Sequence, residues 1–592
     1  MSYLKFLTAF LFIFSSFVFY THSLFSQTFT RITTGDIVNT GTYSEGAYWI
    51  DYNNDGYLDL FTANIVNQNN ALFLNNRNST FTKITTGAIV NDGGFSYGGC
   101  FGDFNNDGYT DLYVINGGGS TSQGKFLYMN NGNATFNKIT TGAVVTDVSG
   151  AWGSSTVDYD NDGNLDIFVS NFNQNNALYK GNGDCTFTKI TTGNIVTDGG
   201  GSLGCVWCDY DNDGDKDLFV ANTNFSSGQV NFLYNNNGNG TFTKVTTGNI
   251  VTDAANSTGA SWGDYDNDGD FDLFVTNYSG ANNYLYNNNG NGTFTKITSG
   301  AIVNDGGNSV GSAWGDYDND GDLDLFVSND INENEFLYSN NNDGTFTKIT
   351  AGDIVNSGGR SNGSVWGDYD NDGDIDLYVT NGDQPTAQNN FLFRNDGNAN
   401  NWINILFKGT VSNKSAIGTR VTLRAVINGN AVRQTREIFG QTGYNAQNSL
   451  NEEFGVGNAA MIDSIIVKWP NGNTETFTNI APNRFITITE NQGVSNIQNA
   501  PEVLPNDFRI LQNYPNPFNP ATVIRYETAK STYVNISVYD EKGAKISDLF
   551  NGNVAAGVNS IKWEPDNQQS GIYFLRVASE SYSQTIKMVY VK

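Results

Sequence analysis

The chain has 592 residues, 60 acidic against 31 basic side chains, a formal net charge of −29 and one histidine, His22. That length exceeds one ordinary hydrophobic core, so several domains or a repeat array are expected. The acidity speaks against a nucleic-acid partner, and His22 lies in the leader described next. The mature chain is therefore expected to have no imidazole for acid–base catalysis or metal ligation.

Lys5, the apolar run Phe6–Tyr20 and Thr21–Gln27 read as a secretory signal peptide over residues 1–27. The run is short for a membrane span, no later segment reaches spanning length, and no Cys follows it to carry a lipid. From 28 to 398 one unit recurs. An outer strand such as Thr345–Thr350 leads into a Gly/Asn-rich loop, then a strand ending at Trp314–Asp316, an acidic turn, and strands Leu323–Asn329 and Glu335–Ser339. Four short strands per unit without an intervening helix predict a β-propeller blade.

The acidic turn carries the chemistry. In Asp316–Asp324 (DYDNDGDLD) carboxylates at positions one, three, five and nine share one small volume. Gly321 at position six lets the chain turn sharply, so that the carbonyl of position seven also faces inward. Such an all-oxygen shell suits calcium, and without a cation its carboxylates repel one another. A helix–loop–helix calcium site would need Glu at position twelve; Val327 stands there, so the turn joins two strands and Asp324 takes the place of that Glu.

Seven copies begin at Asp51, Asp103, Asp158, Asp209, Asp264, Asp316 and Asp368, at steps of 52, 55, 51, 55, 52 and 52 residues. Candidate ligands in the first are Asp51, Asn53, Asp55, Tyr57 and Asp59, and in the second Asp103, Asn105, Asp107, Tyr109 and Asp111. The third offers Asp158, Asp160, Asp162, Asn164 and Asp166, and the fourth Asp209, Asp211, Asp213, Asp215 and Asp217. The fifth offers Asp264, Asp266, Asp268, Asp270 and Asp272, and the sixth Asp316, Asp318, Asp320, Asp322 and Asp324. The seventh offers Asp368, Asp370, Asp372, Asp374 and Asp376. Up to seven calcium ions are expected, held more weakly where Asn53 and Asn105 lower the charge. These turns hold 30 of the 60 acids, so the acidity belongs to them.

The repeat phase bears on closure. Thr28–Thr33 is an outer strand standing before the first turn, and the seventh unit lacks one after Phe391–Arg394. Pairing of the two would close a seven-bladed ring without a raw edge. Trp49, Trp207, Trp262, Trp314 and Trp366, with Phe101 in the second unit, stand two residues before a turn and read as packing between blades. Cys205 and Cys208 lie on one strand with side chains on opposite faces. With Cys100 and Cys185 they read as buried thiols or one opportunistic disulfide, not a redox or zinc site.

The W-G-D-Y-D-N-D-G-D-x-D-L units resemble FG-GAP/VCBS repeats, the family that includes the integrin α-subunit propeller. The resemblance implies a seven-bladed propeller with calcium between the first and second strands of each blade. Residues 399–490 lose the repeat and balance in charge. Asn401–Trp402, Ser412–Val421, Gly440–Tyr444, Phe454–Gly457 and Val467–Gly472 look like the ASPIC/UnbV domain, here a small β-sandwich. Residues 491–505 read as a linker. Within 506–592, Asn513–Thr522, Val534–Asp540 and Ser570–Val577 resemble the type A C-terminal sorting domain of the type IX secretion system. That resemblance implies an Ig-like sandwich, passage across the outer membrane of a Bacteroidota-like Gram-negative bacterium, and removal of the domain.

An all-β, secreted or cell-surface, calcium-binding adhesion or ligand-binding scaffold is the leading reading, with an extracellular glycan or protein as its ligand. A calcium-assisted polysaccharide lyase is the alternative, although no catalytic constellation stands apart from the repeats. A third reading leaves the propeller purely structural and puts recognition in the ASPIC/UnbV-like domain. Specificity is expected on the face away from the acidic turns, in the variable loops Gly117–Gly124, Asn222–Gln229 and Gly382–Gln388.

Overall fold

The structure, a computed structural model, describes residues 28–117, 123–496 and 508–592, apart from 511–515, 529–531, 555–556, 566–567 and 580–582. The signal peptide, most of the linker, the start of the Pro-rich Asn513–Thr522 motif and most of the Gly117–Gly124 loop lie outside the described residues.

Seven antiparallel blades surround one axis. In the sixth, the inner strand Ser309–Gly315 pairs with Asp324–Asn329, which pairs with Phe336–Asn340 and then with the outer strand Phe346–Ile349. The second strands are buried on both faces, which is why they read as apolar runs between polar ends. The seventh blade takes its outer strand from the N-terminus. Phe29, Thr30, Arg31 and Ile32 lie opposite Asn395, Arg394, Phe393 and Leu392, the closure that the repeat phase predicts.

The tryptophans pack between blades, as expected. Trp49 stacks on Tyr369 of the seventh blade at 6.0 Å and 12°, and Trp262, Trp314 and Trp366 stack likewise on Tyr210, Tyr265 and Tyr317. Each of those tyrosines is the second residue of the preceding blade's acidic turn, so blade packing and turn placement are one contact. All four cysteines are buried and free. Cys205 and Cys208 belong to different inter-blade cores, so they face opposite sides of their strand.

One expectation is corrected. The connections between blades are not helix-free: one-turn helices occur at Ala88–Val90, Ala143–Thr146, Asn194–Thr197, Asn249–Thr252, Ala301–Val303 and Asp353–Asn356. Each begins after a Gly with φ between 95° and 100° and buries an Ile-Val or Val-Val pair beneath the outer strands. A single turn is too short to leave a 3.6-residue pattern in the sequence.

The middle domain is a sandwich of two four-stranded sheets. One contains Asn401–Lys408, Asn451–Gly457, Arg484–Thr489 and Gly493–Asn496; the other contains Arg420–Ile427, Asn430–Glu437, Ile462–Lys468 and Thr474–Ile480. Between Glu437 and Asn451 the chain leaves the sandwich and enters the propeller axis. It goes in past Gly440 and turns at Thr442–Ala446, where the Thr442 N–H donates to the Ala446 carbonyl at 2.8 Å. It returns as a short strand, with Ala446 and Gln447 parallel to Ala47 and Tyr48. The C-terminal domain is a second sandwich, of a three- and a four-stranded sheet, around Phe518, Ile524, Ile536, Leu575 and Val577.

The inserted segment meets every blade. Asn445 donates to the Trp152 carbonyl at 2.8 Å, and the Gln447 side chain accepts the Phe101 N–H at 2.9 Å. Asn448 accepts the Trp366 N–H at 3.0 Å, and Gly443 accepts from Ala260 at 3.3 Å. Each inner strand has a Gly five residues before its acidic turn, and here the absent side chain is a requirement. A Cβ at Gly46 would stand 2.6 Å from the Asn445 carbonyl, one at Gly259 2.9 Å from the Gly443 backbone, and one at Gly363 3.3 Å from the Tyr444 carbonyl.

Candidate metal centres in the acidic turns

All seven turns lie on one face, each between an inner and a second strand. Two positive-φ residues shape every copy. Position four is Asn in all seven, from Asn54 at φ 55° to Asn212 at 65°, and position six is Gly, at 83° in Gly56 and 103° in Gly321. In five of the turns position one accepts both amides that this bend aims inward: Asp316 Oδ1 and Oδ2, for example, take the N–H groups of Asp320 and Gly321, both at 3.0 Å. Position five turns aside to accept the N–H of position seven, as Asp320 does from Asp322 at 3.1 Å.

Convergence follows from this. Asp158, Asp160 and Asp166 bring carboxylate oxygens within 4.8 Å of one another, as do Asp209, Asp211 and Asp217; Asp264, Asp266 and Asp272; and Asp368, Asp370 and Asp376. In the sixth blade the converging set is Asp316, Asp318 and Asp320. Positions one, three and nine thus meet in four blades, and positions one, three and five in another. The first two turns form no three-carboxylate group among the described residues, which matches Asn53 and Asn105 at their third positions. There Arg77 also pairs with Asp55 at 3.0 Å, and in the third blade Lys180 pairs with Asp160 and Asp162.

Electrostatically the turns are strained as they stand. Burial, with neighbouring carboxylates adding to it, pushes Asp51 and Asp103 up to about 6 and Asp158 up to about 7. Asp316 and Asp368 rise well above the carboxylate range for the same reasons. Asp160 Oδ1, Asp209 Oδ1, Asp264 Oδ2 and Asp318 Oδ1 are buried and receive no hydrogen bond among the described residues. A buried carboxylate oxygen without a donor is costly, and a hard cation among these oxygens would relieve both defects.

Two roles within the turn escape a reading of the sequence. The ninth-position Asp is also a structural acceptor: Asp324 Oδ1 takes the Asn340 N–H at 2.8 Å and Oδ2 the Tyr317 N–H at 3.2 Å. Asn340 in turn donates to the Tyr265 carbonyl of the preceding blade at 2.7 Å. Position-four Asn donates to the next turn throughout the ring. Asn54 reaches Gly108, Asn106 reaches Asn164, Asn161 reaches Asp215, Asn212 reaches Asp270, Asn267 reaches Asp322, Asn319 reaches Asp374, and Asn371 returns to Gly56, at 2.7–3.1 Å. The seven turns are therefore one hydrogen-bonded belt. The signal was visible, as an Asn at the fourth position of every copy, but its partner lies a whole repeat away.

The middle domain covers this face. Gly455 donates to Asp316 Oδ2 at 3.1 Å, Gly457 to the Asn319 carbonyl at 2.9 Å, and Ser415 accepts the Asp103 N–H at 2.8 Å. Arg433 donates to the Asp268 carbonyl at 3.2 Å, and Lys468 lies 3.5 Å from Asp209. Buried Arg436 stands near Asp316 and Asp264; burial lowers its pKa and those charges oppose the fall. Lys216, the eighth residue of the fourth turn, pairs with Glu437 at 2.8 Å with both side chains buried.

Fold and turns together define a repeat propeller with Asp-rich turns, locked to one β-sandwich and followed by another. The domains can be named. FG-GAP-like repeat models match residues 51–114, 158–220, 209–275, 267–327 and 316–379; the ASPIC and UnbV model matches 409–495; and the secretion system C-terminal sorting domain matches 512–592. By these matches the chain carries FG-GAP-like repeats, an ASPIC and UnbV domain and a secretion system C-terminal sorting domain. It is 28% identical over 268 residues to cartilage acidic protein 1 of Mus musculus, covering 43% of this chain and 40% of that one. The human protein of that name is 28% identical over 287 residues, covering 46% and 42%. The chain thus spans about two-fifths of the length of these relatives. Among solved structures, PorZ of the Porphyromonas gingivalis type IX secretion system aligns at 11% identity and a TM-score of 0.21, covering 93% of this chain and 82% of that one. Among the described residues no helix is long and apolar enough to cross a membrane.

Proposed function

We propose that the chain is a secreted or cell-surface scaffold whose propeller is held together by calcium in the acidic turns and presents an extracellular ligand site. The observation that carries this reading is the convergence of buried carboxylates whose remaining oxygens lack donors in the third to sixth blades. Asp, Asn and carbonyl oxygens are the donor set of a hard cation, and position seven would add its carbonyl, from Tyr57 in the first turn to Asp374 in the last. Because the middle domain sits on these turns, the ions would be structural and recognition would fall elsewhere. A reading that puts recognition wholly in the middle domain has less support, since the Gly455, Arg433 and Lys468 face of that domain is engaged with the propeller. The sorting domain implies recognition by the type IX secretion machinery and delivery to the outer surface of a Bacteroidota cell.

Calorimetry of metal-free against calcium-loaded protein tests the scaffold reading. Each site that binds only the folded chain adds about 2.7 kcal/mol at an ion concentration one hundred times its Kd, so several sites should raise the propeller transition by many degrees. Asp320→Ala should remove one site and part of that gain. A melt that chelation leaves unchanged, on protein verified as metal-free, would refute the reading.

A further inference from the structure

Seven copies of one unit in one ring provide an internal comparison. Positions held constant serve the ring; positions that differ in every copy answer to something else. The inner strands carry such a position. Ser (Ala151 in the third blade) precedes it and Gly follows it in all seven, yet the residue between is Glu45, Tyr97, Trp152, Leu203, Thr258, Val310 or Asn362. These residues begin the inner strands, at the end of the axis away from the acidic turns. Across the same rim, the residue after the repeated Asn of the second strand differs too, with Phe172, Tyr278 and Asp330 in the third, fifth and sixth blades.

The variable positions of this rim run from buried Leu203 and Val310 to half-buried Tyr97, Trp152, Phe172 and Tyr278, and one side of it is tiled with rings. Tyr97 and Trp152 have centroids 4.7 Å apart, Trp152 lies 5.6 Å from Phe172 and 5.9 Å from Phe225, and Phe225 lies 6.4 Å from Tyr278. The Tyr278 hydroxyl then donates to Asp330 at 2.7 Å, and Arg360 joins Asp330 at 3.3 Å to Asp383 at 2.9 Å. One side of the rim is aromatic and the other is a carboxylate–guanidinium array. The floor is Tyr444, carried here by the inserted segment and packed with Leu203 and Val310. Phe225 is 41% exposed, and the Trp152 indole N–H is buried without an acceptor among the described residues.

Charge selects the class of ligand. Asp330 and Asp383 are both engaged by Arg360, and burial lifts the Glu45 carboxyl well above the usual carboxylate range. Asp330 and Asp383 thus already share one guanidinium, and an anionic ligand would meet both their residual negative charge and a chain of net charge −29. A neutral molecule with an apolar ring face and hydroxyl edges fits: its C–H face lies on indole and phenyl rings, and its hydroxyls bond the carboxylate and guanidinium groups. We propose that this rim, Tyr97, Trp152, Phe225, Tyr278, Asp330 and Arg360 above Tyr444, binds a neutral oligosaccharide. The proposal rests on the scaffold reading and narrows its ligand to a glycan. Because Tyr444 closes the floor, the site is composite and is complete only when the middle domain is docked.

The test is an array of neutral, sulfated and sialylated glycans probed with full-length calcium-loaded protein, followed by titration calorimetry of the best neutral oligosaccharide. Neutral glycans should be retained, at least tenfold more weakly by Phe225→Ala and Arg360→Gln, and not by Trp152→Ala. Phe225→Ala changes an exposed ring, so its melt should match the parent and its loss of binding would report the site rather than the fold. Absence of neutral-glycan retention, preference for charged glycans, or retention unaffected by all three variants would overturn the proposal. Neutral-glycan retention lost in these variants, on protein whose melt ignores chelator, would support the glycan site and refute only the calcium scaffold.

Discussion

Glu335 should make the propeller pH-sensitive, and one amide should remove that sensitivity. Five other blades have Asn at this place. Asn283, for example, accepts the Asn277 N–H at 2.8 Å and donates to Ser309 Oγ of the next blade at 3.0 Å. In the sixth blade Glu335 accepts from Asn329 at 2.7 Å and from Ser361 Oγ at 2.5 Å while only 1% exposed. Burial, helped by Glu333 and Asp330 and opposed by those two hydrogen bonds, pushes its carboxyl up to about 8. The folded pKa is raised, so the contribution to stability is fully present below the unfolded value near 4.5 and is lost as pH rises through about 8. Between those values each pH unit costs about 1.4 kcal/mol, a ceiling of about 4–5 kcal/mol, and the desolvation scale for one buried polar group reduces this to about 1–3 kcal/mol. Glu335→Gln restores the Asn chemistry of the other blades at every pH. In saturating calcium, its melt should match the parent near pH 5 and exceed it by several degrees at pH 8.5. Comparing the two proteins cancels every other titration. Parallel pH slopes would refute the reasoning.

Three further outcomes are expected. Lys216→Met should cost about 3–5 kcal/mol in denaturant unfolding by leaving Glu437 buried without its cation, and Lys216→Met with Glu437→Leu should recover most of that; additive losses would rule the coupling out. Gly98→Val should block the inserted segment at Asn445, which supplies all three nearest atoms to a Cβ there, so that limited proteolysis releases the middle domain from a propeller that still melts cooperatively; an unchanged digestion pattern would contradict the plug. Mass spectrometry of the surface and culture fractions should find no peptides from Asn506 onward, and recovery of intact Lys592 on exported protein would count against removal of the sorting domain.

How much of this was legible in the chain depends on where each interaction keeps its partners. The acidic turns were readable because their donors are a few residues apart: Asp316, Asp318 and Asp320 converge through the local bend that Asn319 and Gly321 permit. Ring closure was readable as well, since Thr28–Thr33 is an outer strand with no blade of its own, and the tryptophans were readable because strand period fixes their side. The belt of position-four Asn residues was not, although the residue recurs seven times, because Asn371 finds Gly56 only when the ring is closed. Least legible was the inserted segment. Gly440–Tyr444 stood out as a motif, yet what it recognises is main chain and bare Gly Cα at the inner strands of the propeller, which carry no side-chain signature. Those glycines, five residues before each turn, were the available clue; at Gly46, Gly98, Gly204, Gly259 and Gly363 the inserted segment takes up space they leave, and at Gly153 and Gly311 the neighbouring inner strand does.

That segment also alters what the propeller can do. An open axis with free acidic turns would offer two ligand surfaces, one metallic and one axial. Here Gly455, Gly457, Ser415 and Arg433 occupy the turn face, and Gly443, Asn445 and Gln447 occupy the axis. The remaining face is the one on which the repeats stop resembling one another, and two of its variable loops supply Phe225 and Asp383 to the rim. The proposed scaffold and glycan readings thereby place stability and recognition at opposite ends of the same strands. The Asp-rich ends are nearly identical in every blade because each must make the same turn. The other ends are free to differ because Ser–Asn bonds such as Ser309 to Asn329 at 2.8 Å hold the strands in place whatever residue stands between Ser and Gly.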